Sequence, residues 1–388
     1  MTPAAGAGAS VLERLLASRE IVIVCGAGGV GKTTTAATAA LMAATRLGGR
    51  VLVVTVDPAR RLAQSLGIDG FGDEPRRVDP GALAAATGSE PRGELWVAML
   101  DTKASWDRLV SRHSPDDRTR DAILSNPLYT NITAKFVHSH DYIAMERLHE
   151  LHQSGEYDLI VVDTPPSRHA LDFLEAPERM AEFFDSRLLR WLTIPARSRL
   201  VGAASRSFGV VAERTLGTQF LGDIAEFFLL FRSMYPGFVE RAEAVQRTIR
   251  TRRTSFVVVS TLESSAVSEI SWFVDALAQR RLHLGGVVLN RVLPDGLRDP
   301  AAEASARQLA ERATEIGVEV RSTHSADDVS RVLCELAESF LAYRVPASRE
   351  AELRSELRVD PAIQVAVPIL AGEVADISGL VRIGGFLW

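Results

Sequence analysis

The chain has 388 residues, and its 44 basic and 49 acidic side chains give a net charge of −5 at pH 7. At roughly 150 residues per domain, this length allows two or three domains or one large α/β unit. The charge balance lacks the basic excess that is typical of nucleic-acid-binding proteins, so we expect no nucleic-acid partner. A hydrophobic content of 46% can form a sizeable core and excludes a disordered chain. The two cysteines, Cys25 and Cys334, can form neither a disulfide framework nor a four-thiolate zinc site.

The sequence carries no signal for export or for a membrane span. Residues 1–10 lack the basic and then apolar pattern of a signal peptide. No apolar run approaches the roughly 20 residues that are needed to span a bilayer. We therefore expect a cytoplasmic protein without stable membrane insertion.

Short apolar runs alternate with segments of helical length along the chain. The runs show no polar alternation, which is typical of parallel strands that are buried on both faces. They lie at residues 21–24, 51–56, 95–100, 159–162, 256–260 and 286–289. The pattern predicts an α/β fold with a doubly wound, mainly parallel sheet. No strand-like run occurs between residues 162 and 256, so residues 175–252 are predicted to form a helical insertion within one domain that spans residues 1–388.

A phosphate-binding loop is predicted directly after the first strand. The sequence G-A-G-G-V-G-K-T-T satisfies the pattern G-x-x-x-x-G-K-[S/T] between a strand and a helix. Lys32 would reach the β- and γ-phosphates, and the Thr33 hydroxyl would bind Mg²⁺. A glycine-rich turn that binds nothing is the alternative, which the register of strand, loop and helix disfavours. The residues assigned to the nucleotide are Gly26, Ala27, Gly28, Gly29, Val30, Gly31, Lys32, Thr33 and Thr34.

Two carboxylates stand at the ends of strand-like runs. Asp57 follows the second run in the sequence V-D-P-A, where it could orient the water that attacks the γ-phosphate or only begin a helix. Asp163 ends the run L-I-V-V-D, where it could hold the Mg²⁺ shell. Both positions face the crevice in which open α/β sheets bind ligands.

The loop, the D-P-A motif and the D-T-P-P motif resemble those of deviant-Walker P-loop ATPases, the superfamily of the arsenite-pump ATPase and the factor that targets tail-anchored proteins. The resemblance covers about residues 21–379. It implies an ATPase that uses ATP and Mg²⁺, with Lys32 and Asp57 as catalytic residues and with Thr33 and Asp163 at the metal. It also implies that Asn290, at the end of a predicted strand, and Pro368 contact the adenine. From the residues alone, an asparagine at a strand end is more often a turn residue.

The sequence departs from this superfamily at three points. Ala27 replaces a lysine that reaches the nucleotide of the partner subunit, and Arg168 replaces a glycine of the second switch. The cysteines that bind metalloid or zinc are missing. The chain resembles the bacterial branch called anion-transporting ATPases, without the lysine that reaches the partner's nucleotide. We expect a homodimer, or a heterodimer with a paralogue that carries the lysine, and slow hydrolysis by the isolated chain. The rival interpretation is a nucleotide-sensing regulatory subunit that hydrolyses little.

The predicted insertion is rich in apolar side chains at helical spacing. They include Phe220, Ile224, Phe227, Phe228 and Phe231. These side chains either pack on one another and on the sheet, or form a groove for a hydrophobic client. The second interpretation makes the protein a chaperone for hydrophobic segments.

Other side chains that could bind metal or react have simpler interpretations. The spacing of His138, His140, His149 and His152 matches no metal site, and we expect surface positions on a helix. Cys25 ends the first strand, where a small buried apolar side chain is the expected role.

Overall fold

The computed structural model describes residues 10–56, 61–68, 73–126, 128–129, 137–164, 227, 229–230, 235–320 and 324–388. Within these ranges the strands are β1 (Ile21–Cys25), β2 (Gly49–Thr55), β3 (Arg76–Arg77), β4 (Gly93–Met99), β5 (Leu159–Asp163), β6 (Thr254–Ser260), β7 (Leu284–Val292) and β8 (Gln364–Pro368). They form one eight-stranded sheet in the order β3-β4-β2-β5-β1-β6-β7-β8.

The sheet is parallel except at one edge. Every neighbouring pair is parallel apart from β3 and β4, which are antiparallel. All six predicted strands are present, and the predicted α/β class with a doubly wound, mainly parallel sheet is confirmed. β1 and β5 lie at the centre, and every residue of both is buried, as strands without polar alternation require.

Helices cover both faces of the sheet. They are α1 (Val11–Ser18), α2 (Lys32–Met42), α3 (Arg61–Ser65), α4 (Pro80–Thr87), α5 (Thr102–His113), α6 (Asp117–Ser125), α7 (Val137–Gln153), α8 (Tyr235–Arg250), α9 (Ser264–Gln279), α10 (Pro300–Glu311), α11 (Ala313–Glu319), α12 (Ala326–Glu356) and α13 (Ile377–Leu387). In the part of the chain that these ranges cover, no helix combines the length and the apolar content that a bilayer span requires.

The two faces bury separate apolar cores. On one face, which we call the α2 face, α1, α2 and α13 pack against alternate residues of the strands. On the other face, α7, α8 and α9 pack against the remaining strand residues. Because side chains alternate along a strand, the residue at each strand end is assigned to a face by its register.

Two strands of the sheet are absent from the predicted set. Residues 364–368 form β8, which contains Pro368 and pairs with β7. β8 lies at the sheet edge and most of its residues are half-exposed, so its apolar pattern is weaker than that of the buried strands. β3 has only two residues, which is too short for any periodicity.

Most of the predicted insertion lies outside the described residues, so its boundaries stay a prediction. Its last segment is α8, which follows the predicted helical character and buries Val245 and Ile249 in the core. Of the apolar residues named in the insertion, Phe227 has a described side chain, and it is 2% exposed.

The carboxyl-terminal helix α13 closes the α2 face. Leu380 and Leu387 are fully buried, and Gly384 lies so close to Met42 of α2 that a Cβ would collide with the Met42 sulfur. The Ser10 hydroxyl donates a hydrogen bond of 2.8 Å to the Leu387 carbonyl, which joins the two ends of the described chain. The helix that carries the phosphate loop is therefore packed against the last helix of the chain.

Burial rather than side-chain size should decide the contribution of α13 to stability. Leu380 is 0% exposed and Phe386 is 37% exposed on the same helix. We expect Leu380→Ala to lower the free energy of unfolding by about 2–5 kcal/mol, because it leaves a cavity in the core. Phe386→Ala removes a larger side chain but should cost about 1 kcal/mol or less. Urea unfolding measures both, and equal losses would contradict the docking of α13.

Candidate functional site

The glycine-rich loop lies at the carboxyl end of β1, against the backbone of β6. Gly26 has φ +147°, and a Cβ at this position would collide with the Val259 carbonyl oxygen. Gly31 has φ +98°, which places it in the left-handed region, and its missing Cβ leaves room for the Asn290 amide. The loop can therefore follow this path only with glycine at its first and last turns. Gly28 and Gly29 are exposed at its tip.

Helix α2 begins directly at the end of this loop, at Lys32. Its N-cap is Gly31, and no side chain accepts a hydrogen bond from the first turn, in which Thr33 and Thr34 lie. Uncapped N–H groups together with the positive end of the helix dipole form a site that suits phosphate. Lys32 is 6% exposed, and its Nζ donates a hydrogen bond of 2.8 Å to the Ala27 carbonyl, so its charge lies inside the loop. These features fit the phosphate groups of a nucleoside triphosphate.

Asp163 lies at the end of β5 and is wholly buried. The register pairs it with Val24 of β1 and with Thr55 of β2, and strand alternation puts its carboxylate on the α2 face. The Thr55 hydroxyl donates a hydrogen bond of 2.9 Å to Asp163 Oδ2. Asp163 and Thr33 thus belong to the same face of the sheet, and a carboxylate and a hydroxyl are the hard oxygen ligands that Mg²⁺ prefers.

Asp57 lies outside the described residues, and so does Arg168. The last described residue before Asp57 is Val56, whose backbone N–H donates to the Asp163 carbonyl at 3.1 Å. The chain therefore leaves β2 beside Asp163, at the same edge of the sheet as the loop. The role of Asp57 stays a prediction.

Asn290 and Pro368 occupy the ends of β7 and β8. Asn290 lies against the loop, where its Nδ2 donates a hydrogen bond of 2.8 Å to the Val30 carbonyl. Pro368 pairs in register with Val292, at the outer edge of the sheet. The structure thus brings Asn290 together with Val30 and Gly31, whereas Pro368 lies one strand further from the loop.

Sequence reasoning missed two threonines of the site. Thr55 binds the Asp163 carboxylate, and the Thr164 hydroxyl donates to the Val24 carbonyl at 2.9 Å, which links the turn after β5 to β1. The available signal was position: both are hydroxyl residues at the ends of buried apolar strands, where a polar side chain needs a partner.

Cys25 has the role that was expected of it. The side chain is 1% exposed in the core on the face opposite α2, and burial raises the pKa of its thiol to about 12. A thiol with this pKa is not a nucleophile at neutral pH.

The surface position expected for His149 is wrong. His149 is 8% exposed and faces a cavity of about 450 Å³ between α5, α7 and α8. Burial, followed by the charges of His152, Arg241 and Arg247, lowers the pKa of His149. Sequence could not reveal this, because α8 and its arginines lie about a hundred residues further along the chain. The side chains of His138 and His140 lie outside the described part, and His152 pairs with Glu20 at 2.9 Å.

A parallel sheet with helices on both faces, and with a glycine-rich loop between a central strand and the next helix, defines the class of P-loop nucleotide-binding folds. Comparison with known protein families identifies the family within this class. The anion-transporting ATPase family matches residues 19–329, so the chain belongs to this family. The resemblance inferred from the loop and switch motifs is confirmed. The matched range includes Asn290 and ends before Pro368.

Individual relatives agree with this family. A protein of Streptomyces coelicolor, described as uncharacterized, is 30% identical over 280 residues, which are 71% of this chain and 63% of that protein. An ATPase ASNA1 homolog of Leishmania infantum is 29% identical over 52% of this chain and 53% of its own length. The ATPase GET3 of Podospora anserina is 26% identical over 73% of this chain and 76% of its own length. The chain thus spans less than two thirds of the first two of these relatives.

Two histidines with lowered pKa values, the buried His149 and the half-buried His113, should make stability fall in weak acid. Burial, together with Arg241 and Arg112, lowers the pKa of His113 to about 4, and the pKa of His149 is also lowered. Between about pH 6.5 and 4 the unfolded chain therefore binds protons that the folded chain does not. The free energy of unfolding consequently decreases as the pH is lowered through this range. We expect His149→Asn to reduce the loss between pH 7.5 and pH 5 in urea unfolding.

The matched control is Gln153→Ala on the same helix, which removes a polar side chain that does not titrate. It should shift stability equally at both pH values. An unchanged pH profile in His149→Asn would contradict the lowered pKa.

Proposed function

We propose that the chain is a cytoplasmic, Mg²⁺-dependent ATPase that works as a dimer and passes the nucleotide state to its helical insertion. The proposal rests on one arrangement. The loop that holds Lys32 follows β1, the buried Asp163 ends the adjacent strand β5, and both lie on the α2 face of the sheet. Membership of the anion-transporting ATPase family supports the same activity.

Each residue has a distinct task in this proposal. The loop amides and Lys32 bind the phosphates and offset the charge that develops during transfer. Thr33 and Asp163 hold Mg²⁺, which when bound neutralises charge on the phosphate oxygens. Thr55 fixes the orientation of the Asp163 carboxylate, and Asp57 orients the attacking water. Asn290 and Pro368 contact the base.

The connection to the insertion passes through α7 and α8. Glu146 of α7 and Arg241 of α8 form an ion pair of 2.6 Å, and both side chains are mostly buried. α7 leads directly into β5, which ends at Asp163. A change at Asp163 can therefore reach α8, the last helix of the predicted insertion, through β5, α7 and the ion pair. We propose that the insertion acts on a client, and a chaperone for hydrophobic segments is one form of this function.

A second candidate function is a nucleotide-sensing regulatory subunit, which Ala27 favours. Ala27 is half-buried, and its side chain packs against the apolar core on the α2 face. An alanine here supplies no charge to a partner subunit's nucleotide. In this case the chain binds ATP, hydrolyses it slowly and regulates a partner that carries the lysine.

Nucleotide binding should depend on Lys32 and not on positive charge in general. We expect Lys32→Ala to weaken Mg-ATP binding by about a hundredfold or more, because several charged hydrogen bonds to phosphate are lost. The matched control is Lys103→Ala, since Lys103 is an exposed lysine that pairs with Asp107 at 2.6 Å on α5. Isothermal titration calorimetry measures both affinities, with circular dichroism to establish that each variant is folded. A folded Lys32→Ala variant with unchanged affinity would refute the phosphate site.

Ala27 separates the two candidate functions. If the chain is an ATPase dimer that lacks only the lysine supplied by its partner, Ala27→Lys should raise the turnover of the isolated protein by about tenfold or more. Ala27→Met, with a side chain of similar length and no charge, is the matched control and should not raise turnover. Steady-state phosphate release measures both. Fast turnover by the wild-type chain, or equal effects of Lys and Met, would contradict the role of the missing lysine.

A further inference from the structure

The Asn290 side chain is held at both ends of its amide. Its Nδ2 donates to the Val30 carbonyl at 2.8 Å, and its Oδ1 accepts a hydrogen bond of 3.0 Å from the Arg291 backbone N–H. Arg291 has φ +59°, a conformation that is unusual for a residue other than glycine. The turn after Asn290 is thus shaped so that its own backbone fixes the amide.

The hydrogen bond to Val30 determines the orientation of a whole peptide unit. Because the trans peptide is planar, the Val30 carbonyl and the Gly31 N–H point in opposite directions. Because Asn290 holds the carbonyl toward β7, the Gly31 N–H points away from β7. Gly31 precedes Lys32 and has no Cβ to keep Asn290 away.

We propose that Asn290 is a positioning residue for the phosphate loop, in addition to the contact with the base that the proposed function assigns to it. It orients the Val30–Gly31 peptide so that the Gly31 N–H faces the phosphates before any nucleotide is bound. This inference rests on the proposed function only for the identity of the ligand, since the contact is a property of the chain itself.

The carboxamide has enough hydrogen-bonding groups for both tasks. After the bonds to Val30 and Arg291, one N–H of Nδ2 and one lone pair of Oδ1 remain. A donor and an acceptor are the two groups with which asparagine recognises the N7 and N6 edge of adenine. One side chain therefore links recognition of the base to the geometry of the loop.

The test separates the loop from the base by using a ligand without a base. Mg-tripolyphosphate presents only phosphates, so a pure base contact cannot affect its binding. We expect Asn290→Ala to weaken its binding about three- to tenfold in calorimetric titration, the range for one lost hydrogen bond. Asn290→Asp should weaken it further, because a carboxylate near the Val30 carbonyl replaces attraction by repulsion.

A second measurement needs no ligand. Amide hydrogen exchange of residues 26–34, followed by mass spectrometry on the free protein, should be faster in Asn290→Ala than in the wild type. The matched control is Gln364→Ala on the neighbouring strand β8, because the Gln364 amide also donates to a backbone carbonyl, that of Val359, at 3.0 Å. This control should leave exchange in residues 26–34 unchanged.

The outcomes are distinct. In one outcome, Asn290→Ala weakens ATP binding and leaves both tripolyphosphate binding and hydrogen exchange unchanged. Asn290 would then be a base contact alone, and the inference would be overturned. Equal acceleration in Gln364→Ala would attribute the effect to general loosening of the sheet and would overturn it too. If the wild type binds neither ligand, the proposed function fails, while faster exchange in Asn290→Ala still supports the positioning role.

Discussion

The site depends on the parallel register of β1, β5 and β2. This register sets Val24, Asp163 and Thr55 side by side at one edge of the sheet. A wholly buried carboxylate is costly unless hydrogen bonds or charges compensate its desolvation. The Thr55 hydroxyl supplies one such bond. A shift of β2 by one residue would turn Thr55 to the opposite face, so the position of the carboxylate depends on the pairing of strands that are far apart in sequence.

The loop is likewise held by contacts with separate elements, namely two strands and the helix that follows it. Its first glycine packs against the backbone of β6, and its last residues contact Asn290 of β7. The Lys32 side chain folds back and donates a hydrogen bond to the carbonyl of Ala27, near the start of the loop. Catalysis of phosphate chemistry relies on positioning and on electrostatic stabilisation, both of which need groups that are fixed before substrate arrives. Support from three directions gives the loop that property.

The sequence was sufficient for features that depend on local pattern. Strands buried on both faces lack polar alternation, so β1, β2 and β5 are visible as apolar runs, and the loop is visible because its glycines and lysine are adjacent in the chain. β8 lacked this signal because it is half-exposed at the edge. The bond between Thr55 and Asp163 joins residues 108 positions apart, and that between Asn290 and Val30 joins residues 260 apart. No local period encodes such pairs, since they result from strand order.

The helices opposite α2 show why burial cannot be inferred from residue type. Glu146, Arg147 and His149 are each at most 8% exposed, although all three are polar. They lie where α7 meets α5 and α8. Arg241 of α8 pairs with Glu146 across that contact, and Arg147 pairs with Glu150 of its own helix at 2.6 Å. Removing one partner of a buried pair leaves an uncompensated charge, which costs several kcal/mol. α8 is therefore bound to α7 by specific charges as well as by the apolar Val245 and Ile249, and it cannot slide along α7 without breaking them. Such a contact moves as a unit or not at all, which is the behaviour that the proposed function requires of the link between Asp163 and the insertion.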